Sequence, residues 1–284
     1  MPSFTLSSAV LLGWISSTAY AAPPVGLPQG DNLLRDRATL QAFAKTITSD
    51  PDGNITKTYG GPNVCDFAGV TCDTTPDGYE AVAGIDYNQY HIGSNLRLTG
   101  LLDKLVDLSF LHANTNDFVG TIPDVSNLQY LSEIDLSNNR LNGLFPKKIF
   151  AAPLTFLDLR FNSFSGPLPK DLFNDKDMDV LFLNDNKFTG PIPETTTANV
   201  TYVTLANNLL TGSIPASLAN NVGLKEILLS GNLLTGNVPE ALCALPLDVL
   251  DVSGNPQLSG ALGPKCKALL KKEVLNITDT ALTA

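Results

Sequence analysis

Tryptophan, methionine, histidine and cysteine are all scarce in these 284 residues, at one, two, two and four copies. So few histidines and cysteines leave little material for a metal centre. Cys65 and Cys72 stand early, Cys243 and Cys266 late, and His91 and His112 are far from all four in sequence, so no zinc-ligand spacing is present and no metal or other cofactor is expected. Basic side chains are also in deficit, 18 Lys and Arg against 28 Asp and Glu, for a formal net charge of -10. Such a surface repels nucleic acid and anionic lipid and favours a cationic partner. Long apolar runs are missing as well: residues 4–15 form a short one, too short to cross a bilayer, and nothing after Cys266 resembles a membrane span or a lipid-anchor signal.

That early apolar stretch, followed by Ala19-Tyr20-Ala21, reads as a secretory leader over residues 1–21. The only tryptophan, Trp14, lies inside it, so the processed protein is expected to lack tryptophan fluorescence. Secretion suits an even number of cysteines, and disulfides joining Cys65 to Cys72 and Cys243 to Cys266 would close the two ends of the chain. It also suits the acceptor sequons at Asn54, Asn199 and Asn276.

What the chain has in abundance is a repeated phrase. Asparagines at 116, 139, 162, 186, 208, 232 and 255 recur every 22 to 24 residues, each inside a copy of Leu131-x-x-Ile134-x-Leu136-x-x-Asn139-x-Leu141-x-Gly143. This period predicts an α/β repeat solenoid, a right-handed leucine-rich-repeat superhelix with a concave parallel β-sheet and disulfide-capped ends. The Leu-x-Leu pair alternates as a strand does, and each asparagine amide is placed to bond backbone groups left unpaired at the bend. The continuation Phe188-x-Gly190-x-Ile192-Pro193 marks the plant-type subclass, with glycine making the bend and proline expected to stop the convex side from forming a ladder. Residues 22–75 are expected to cap the amino-terminal end through a helix that Asp50-Pro51-Asp52-Gly53 terminates. Residues 76–266 form about eight turns with their terminal cap, and 267–284 a short tail.

Aligned on asparagine, three columns face away from the core. The central one reads Asp86, His112, Asp135, Asp158, Phe182, Thr204, Leu228 and Asp251, preceded by Phe110, Glu133, Phe156 and Tyr202 and followed by Arg160. Solvent-facing rings interleaved with carboxylates suit a basic peptide, so Asp86, Phe110, His112, Glu133, Asp135, Phe156, Asp158, Arg160, Phe182 and Tyr202 are the candidate ligand contacts. Glu133, Asp135 and Asp158 are the expected cation contacts. His112, flanked in its column by Asp86 and Asp135, could be a pH sensor, but no serine or cysteine motif accompanies it and no enzyme is expected.

The chain resembles the repeat domain of plant leucine-rich-repeat extensins in Val64-Cys65-Asp66-Phe67-Ala68-Gly69-Val70-Thr71-Cys72, Ala81-Val82-Ala83-Gly84-Ile85-Asp86 and Phe156-Leu157-Asp158-Leu159-Arg160-Phe161-Asn162, although Val119 stands where that family commonly has cysteine. The resemblance implies a secreted cell-wall protein that binds cationic, cysteine-rich rapid alkalinisation factor peptides. A similar likeness to polygalacturonase-inhibiting proteins implies instead a pectin-degrading enzyme as partner, and a structural wall or adhesion role is a third expectation.

Overall fold

The computed structural model describes residues 30–196 and 199–284; the expected leader lies outside them. The first residue of each Leu-x-Leu pair is the buried centre of a three-residue strand, and the second follows just beyond it. Stacked, these strands make a ten-stranded sheet running from Val70–Thr74 and Glu80–Asp86 through Phe110–His112, Glu133–Asp135, Phe156–Asp158, Val180–Phe182, Tyr202–Thr204, Glu226–Leu228 and Val249–Asp251 to Leu275–Asn276. Only the first pair is antiparallel. The register places Asp86 beside His112, His112 beside Asp135, Asp135 beside Asp158, Asp158 beside Phe182 and Thr204 beside Leu228, the columns expected from the repeat.

The asparagines turn the chain as expected. Asn139 Nδ2 donates to the carbonyls of Ala113, Leu136 and Ser137 at 2.9, 3.1 and 3.1 Å, and its Oδ1 accepts from the Phe118 N–H at 3.0 Å. The same bonds recur at Asn186 and Asn232. The residue before each asparagine takes a left-handed conformation, as at Asn138 (φ 53), Phe161 (φ 53) and Asp185 (φ 54), which aims the following amide inward. The repeat phrase alone did not reveal this corner.

The glycine segments form strands that the repeat phrase did not announce, and these end before the Ile-Pro prolines such as Pro193. A second ladder of parallel strands, Val119–Gly120, Arg140–Gly143, Ser163–Pro167, Lys187–Pro191, Leu209–Ser213 and Leu233–Thr235, runs through the glycine segments. Gly166, Gly190 and Gly212 sit at φ 77, 76 and 78, so the strand bends there without losing its partner, and Pro167 and Pro191 merely close their strands.

At the amino-terminal end, helix α1 (Asp31–Ala44) buries Leu33, Leu40 and Phe43 against the first turns. Its Asp36 is buried too, accepting from the Val82 N–H at 3.1 Å and from Arg35, which also reaches Asp107 at 2.6 Å. Burial pushes the Asp36 carboxyl above its ordinary range against these donors. The helix stops at Ala44, before the expected Asp50–Gly53 terminator, because Thr46 folds back on the Phe43 carbonyl through both its N–H and its hydroxyl. Asp50 instead starts helix α2 (Asn54–Thr58), its carboxylate accepting from the N–H groups of Asn54, Ile55 and Thr56 at 3.0, 3.0 and 2.7 Å. The disulfides Cys65–Cys72 and Cys243–Cys266 are both formed.

Residues 267–284, read from the sequence as a tail, supply another turn. Helix α3 (Pro264–Lys271) carries Cys266 to its bridge, Leu275–Asn276 joins the main sheet beside Val249–Asp251, and Ala281–Thr283 pairs with Ser259–Ala261. Thr280 stands where the asparagine would. Its hydroxyl donates to the Ile277 carbonyl at 2.7 Å and accepts from the Leu282 N–H at 3.3 Å, and Asp279 before it is left-handed at φ 56.

Candidate functional site: the concave face

The three columns divide the sheet into zones of different chemistry. In the first turns Asp86 is exposed, and Glu133 and Asp135 are partly so. The Asp86, Asp135 and Asp158 carboxylates each accept from the N–H two residues on, at 3.0, 3.0 and 2.9 Å, so one oxygen of each shapes the strand end. Asp135 also accepts from Asn114 Nδ2 at 2.8 Å.

His112 stands between Asp86 and Asp135 in its column as expected, but the group its ring bonds is Glu133, with Nε2 and Oε2 at 3.0 Å. Glu133 lies one column over on the neighbouring strand, and its longer side chain reaches the ring while Asp135 is held by its own donors. Phe110 packs against the imidazole at a tilt of 37°, ring centres 4.9 Å apart. Burial lowers the affinity of His112 for a proton, but the Glu133 hydrogen bond and the charges of Glu133, Asp135 and Asp86 outweigh it, so the pKa is raised above 6.5.

The centre of the face is closed. Asp158, expected to meet a ligand's cation, is 1% exposed, and Arg160 folds over it at 13% exposure. Arg160 Nη2 meets Asp158 Oδ2 at 2.6 Å, and Nε reaches both carboxylate oxygens at 3.0 and 2.9 Å. The guanidinium carbon lies 4.7 Å from the centre of the Phe182 ring, and Phe182, itself buried, meets Phe156 edge-on at 6.1 Å. Burial, reinforced by Asp135, lifts Asp158 to about 6 against the pull of Arg160. Asp158, Arg160 and Phe182 thus satisfy one another, and sequence position gave no sign of it.

Beyond this closure the column residues themselves present little accessible charge, although Lys225 and Asp248 stand one position before them. Tyr202, Leu228 and Val249 are half-buried, while the carboxylates of Glu226 and Asp251 are buried. A residue that sequence reasoning passed over is Phe161, 47% exposed at a left-handed corner beside Arg160. Of the sequons, Asn199 is exposed and donates to the Lys176 carbonyl, Asn54 opens α2, and Asn276 lies in the last strand, its Oδ1 accepting from Thr278. Among the described residues no group of three or more His, Cys, Asp or Glu could hold a metal ion, and no helix is long and apolar enough to cross a membrane.

Comparison with known proteins agrees with this geometry. The Leucine Rich Repeat family model matches residues 130–151, 153–174, 199–221 and 223–245. Leucine-rich repeat extensin-like protein 4 of Arabidopsis thaliana is 40% identical over 181 residues, which cover 54% of this chain and 36% of that protein. Extensin-like protein 3 of the same plant is 41% identical over 183 residues, 55% of this chain and 24% of that one. The chain thus spans about a third or less of these relatives' length. Among solved structures, the plant peptide hormone receptor RGFR1 in complex with RGF2 is 32% identical with a TM-score of 0.58, the likeness covering 66% of this chain and 31% of that one. PEPR1-AtPEP1 is 29% identical with a TM-score of 0.67, over 87% and 34%.

Proposed function

Because this chain is a leucine-rich-repeat protein resembling the repeat domain of leucine-rich-repeat extensins, we propose that it is a binding module of the extracellular space or cell wall. Its concave face takes a protein ligand, and the chemistry suits a basic, cysteine-rich peptide of the rapid alkalinisation factor kind. The observation that carries this reading is the juxtaposition, in the first turns, of accessible Asp86 and Glu133 with the half-buried rings of Phe110 and Phe156. Carboxylates pair with lysine or arginine, and rings that already stand clear of the core anchor apolar side chains at little entropic cost. No reaction belongs to this reading: the imidazole of His112 is taken by Glu133, and catalysis would need a nucleophile or cofactor pocket beside it. Two disulfides suit the oxidising compartment that the reading requires.

The test is calorimetric titration with a synthetic basic, cysteine-rich peptide at low and at physiological salt, with a polygalacturonase-inhibition assay alongside. Micromolar or tighter binding that weakens with salt is the expected result. Absence of binding together with inhibition of the pectin-degrading enzyme would move the partner to a folded enzyme. Retention on wall polysaccharide with neither would make the role structural.

A further inference from the structure

Resting on that reading, we propose that the stretch of ligand lying on the concave face is bipartite: basic residues over Asp86, Glu133 and Asp135, and an apolar end over Tyr202, Leu228 and Val249. The two halves of the face differ in what they leave accessible. The first turns present three carboxylates, one of them exposed and two partly so, and only His112 among them can carry positive charge. In the later turns the carboxylates that lie in the same columns, Glu226 and Asp251, are buried, with Asp251 bonded to the Ser253 N–H at 2.9 Å. What remains accessible in these columns is Tyr202, Leu228 and Val249 with the hydroxyls of Ser230 and Ser253, flanked one position earlier by Lys225 and Asp248, whose opposite charges offset each other.

Between the halves, Arg160 and Asp158 cancel each other's charge, so nothing in the centre attracts a cation, and the guanidinium resting on Phe182 disfavours one. A chain crossing this region is therefore neutral. Its length follows from the sheet. From Asp135 to Leu228 the register advances through Asp158, Phe182 and Thr204, four steps of ~4.8 Å or about 19 Å, which about six extended residues span at ~3.3 Å each. The ligand class is thus a peptide segment with lysine or arginine at one end and leucine, phenylalanine or a similar side chain about six residues away.

Panning a display library of random peptides of about twelve residues on the disulfide-intact protein tests this. The expected outcome is joint enrichment of a basic and an apolar residue about six positions apart. Repeated on the Asp86→Asn/Glu133→Gln variant, panning should lose the basic preference and keep the apolar one; Leu228→Ser should do the reverse. Each variant should weaken a selected parent peptide roughly tenfold, equivalent to about 1.4 kcal/mol. Circular dichroism confirms that each is folded, and the first changes only accessible side chains. Basic enrichment with no apolar partner at a fixed distance overturns the bipartite ligand and leaves the binding reading standing. If no peptide of any kind is enriched, the peptide-binding reading fails and takes the inference with it.

Discussion

Arg160 lies over Asp158 with Nη2 2.6 Å from Oδ2, and so turns what the repeat pattern presents as a surface carboxylate into a buried ion pair. Removing the guanidinium would leave Asp158 desolvated and unpaired. We predict that Arg160→Ala loses about 3 kcal/mol of stability at neutral pH. The loss should depend on pH in a definite sense. With its folded pKa lifted to about 6, the Asp158 carboxyl holds its proton more tightly in the folded than in the unfolded state, so charging it costs stability as pH rises from the unfolded value of 3.8 towards 6. Without Arg160 that charging costs more. The deficit of the variant in urea unfolding should therefore be largest near neutrality and shrink towards about pH 4; a deficit constant with pH would mean that Arg160 contributes by packing on Phe182 alone.

His112 and Glu133 should behave in the opposite sense. The folded pKa of His112 is raised, so the pair stabilises the fold below the unfolded value of 6.5, and that contribution is lost as pH rises through the folded value. Glu133→Gln removes the largest raising influence and leaves burial in command. An NMR titration of the imidazole should then move from above 6.5 to below it. An unmoved midpoint would show that Asp86 and Asp135, not Glu133, hold the proton.

The asparagine ladder makes a stability prediction with a built-in control. Asn139→Ala strands the Phe118 N–H in the core and takes one of two donors from each of the Ala113, Leu136 and Ser137 carbonyls, and should cost about 2 kcal/mol. Its neighbour Asn138 is exposed and left-handed at φ 53, so Asn138→Gly should change stability by less than about 0.5 kcal/mol. Equal losses in thermal melts would place the structural role on the corner instead of on the amide.

These contrasts show what the sequence could and could not convey. Strand register was legible because each turn repeats its apolar spacing, which forced Asp135 beside Asp158 and Thr204 beside Leu228. The closure of Asp158 was not, because it depends on the path that the flexible Arg160 side chain takes and on Phe182 in the next turn to receive it. The last turn escaped notice for a simpler reason: Thr280 replaces the asparagine, and one hydroxyl makes enough of its bonds to turn the chain. The second ladder was hidden because its strands are short and bend at left-handed glycines, which sequence alone marks as turns.

Phe161 separates stability from function. Its corner holds Asn138 in the preceding turn and Asp185 and Asn207 in the following ones, residues that tolerate the left-handed conformation, whereas a phenylalanine there is strained and exposes its ring. Phe161→Asn should raise stability by about 1 kcal/mol. If the ring is kept for a ligand on the adjoining face, the same change should weaken peptide binding. A variant that is both more stable and undiminished in binding would remove Phe161 from the site.

The bridge between Cys243 and Cys266 ties α3 to the preceding turn and closes a separation of 23 residues. Replacing both cysteines by serine should cost about 3 kcal/mol. In a solenoid each turn contacts only its neighbours, so that loss is felt first where the bridge acts. Beyond it, Leu275–Asn276 has a single strand partner, and Thr280 makes fewer bonds than the asparagines it replaces. Hydrogen exchange should therefore accelerate over Leu275–Asn276 and Ala281–Thr283, and to a lesser degree over Val249–Asp251, while Phe110–His112 and Glu133–Asp135 keep their protection. The acidic half of the concave face would then survive in a protein whose apolar half has loosened, and a peptide selected on the intact protein should retain its basic contact and lose its apolar one. Uniform acceleration across all strands would instead mean that the solenoid unfolds as one cooperative unit and that the bridge stabilises every turn alike.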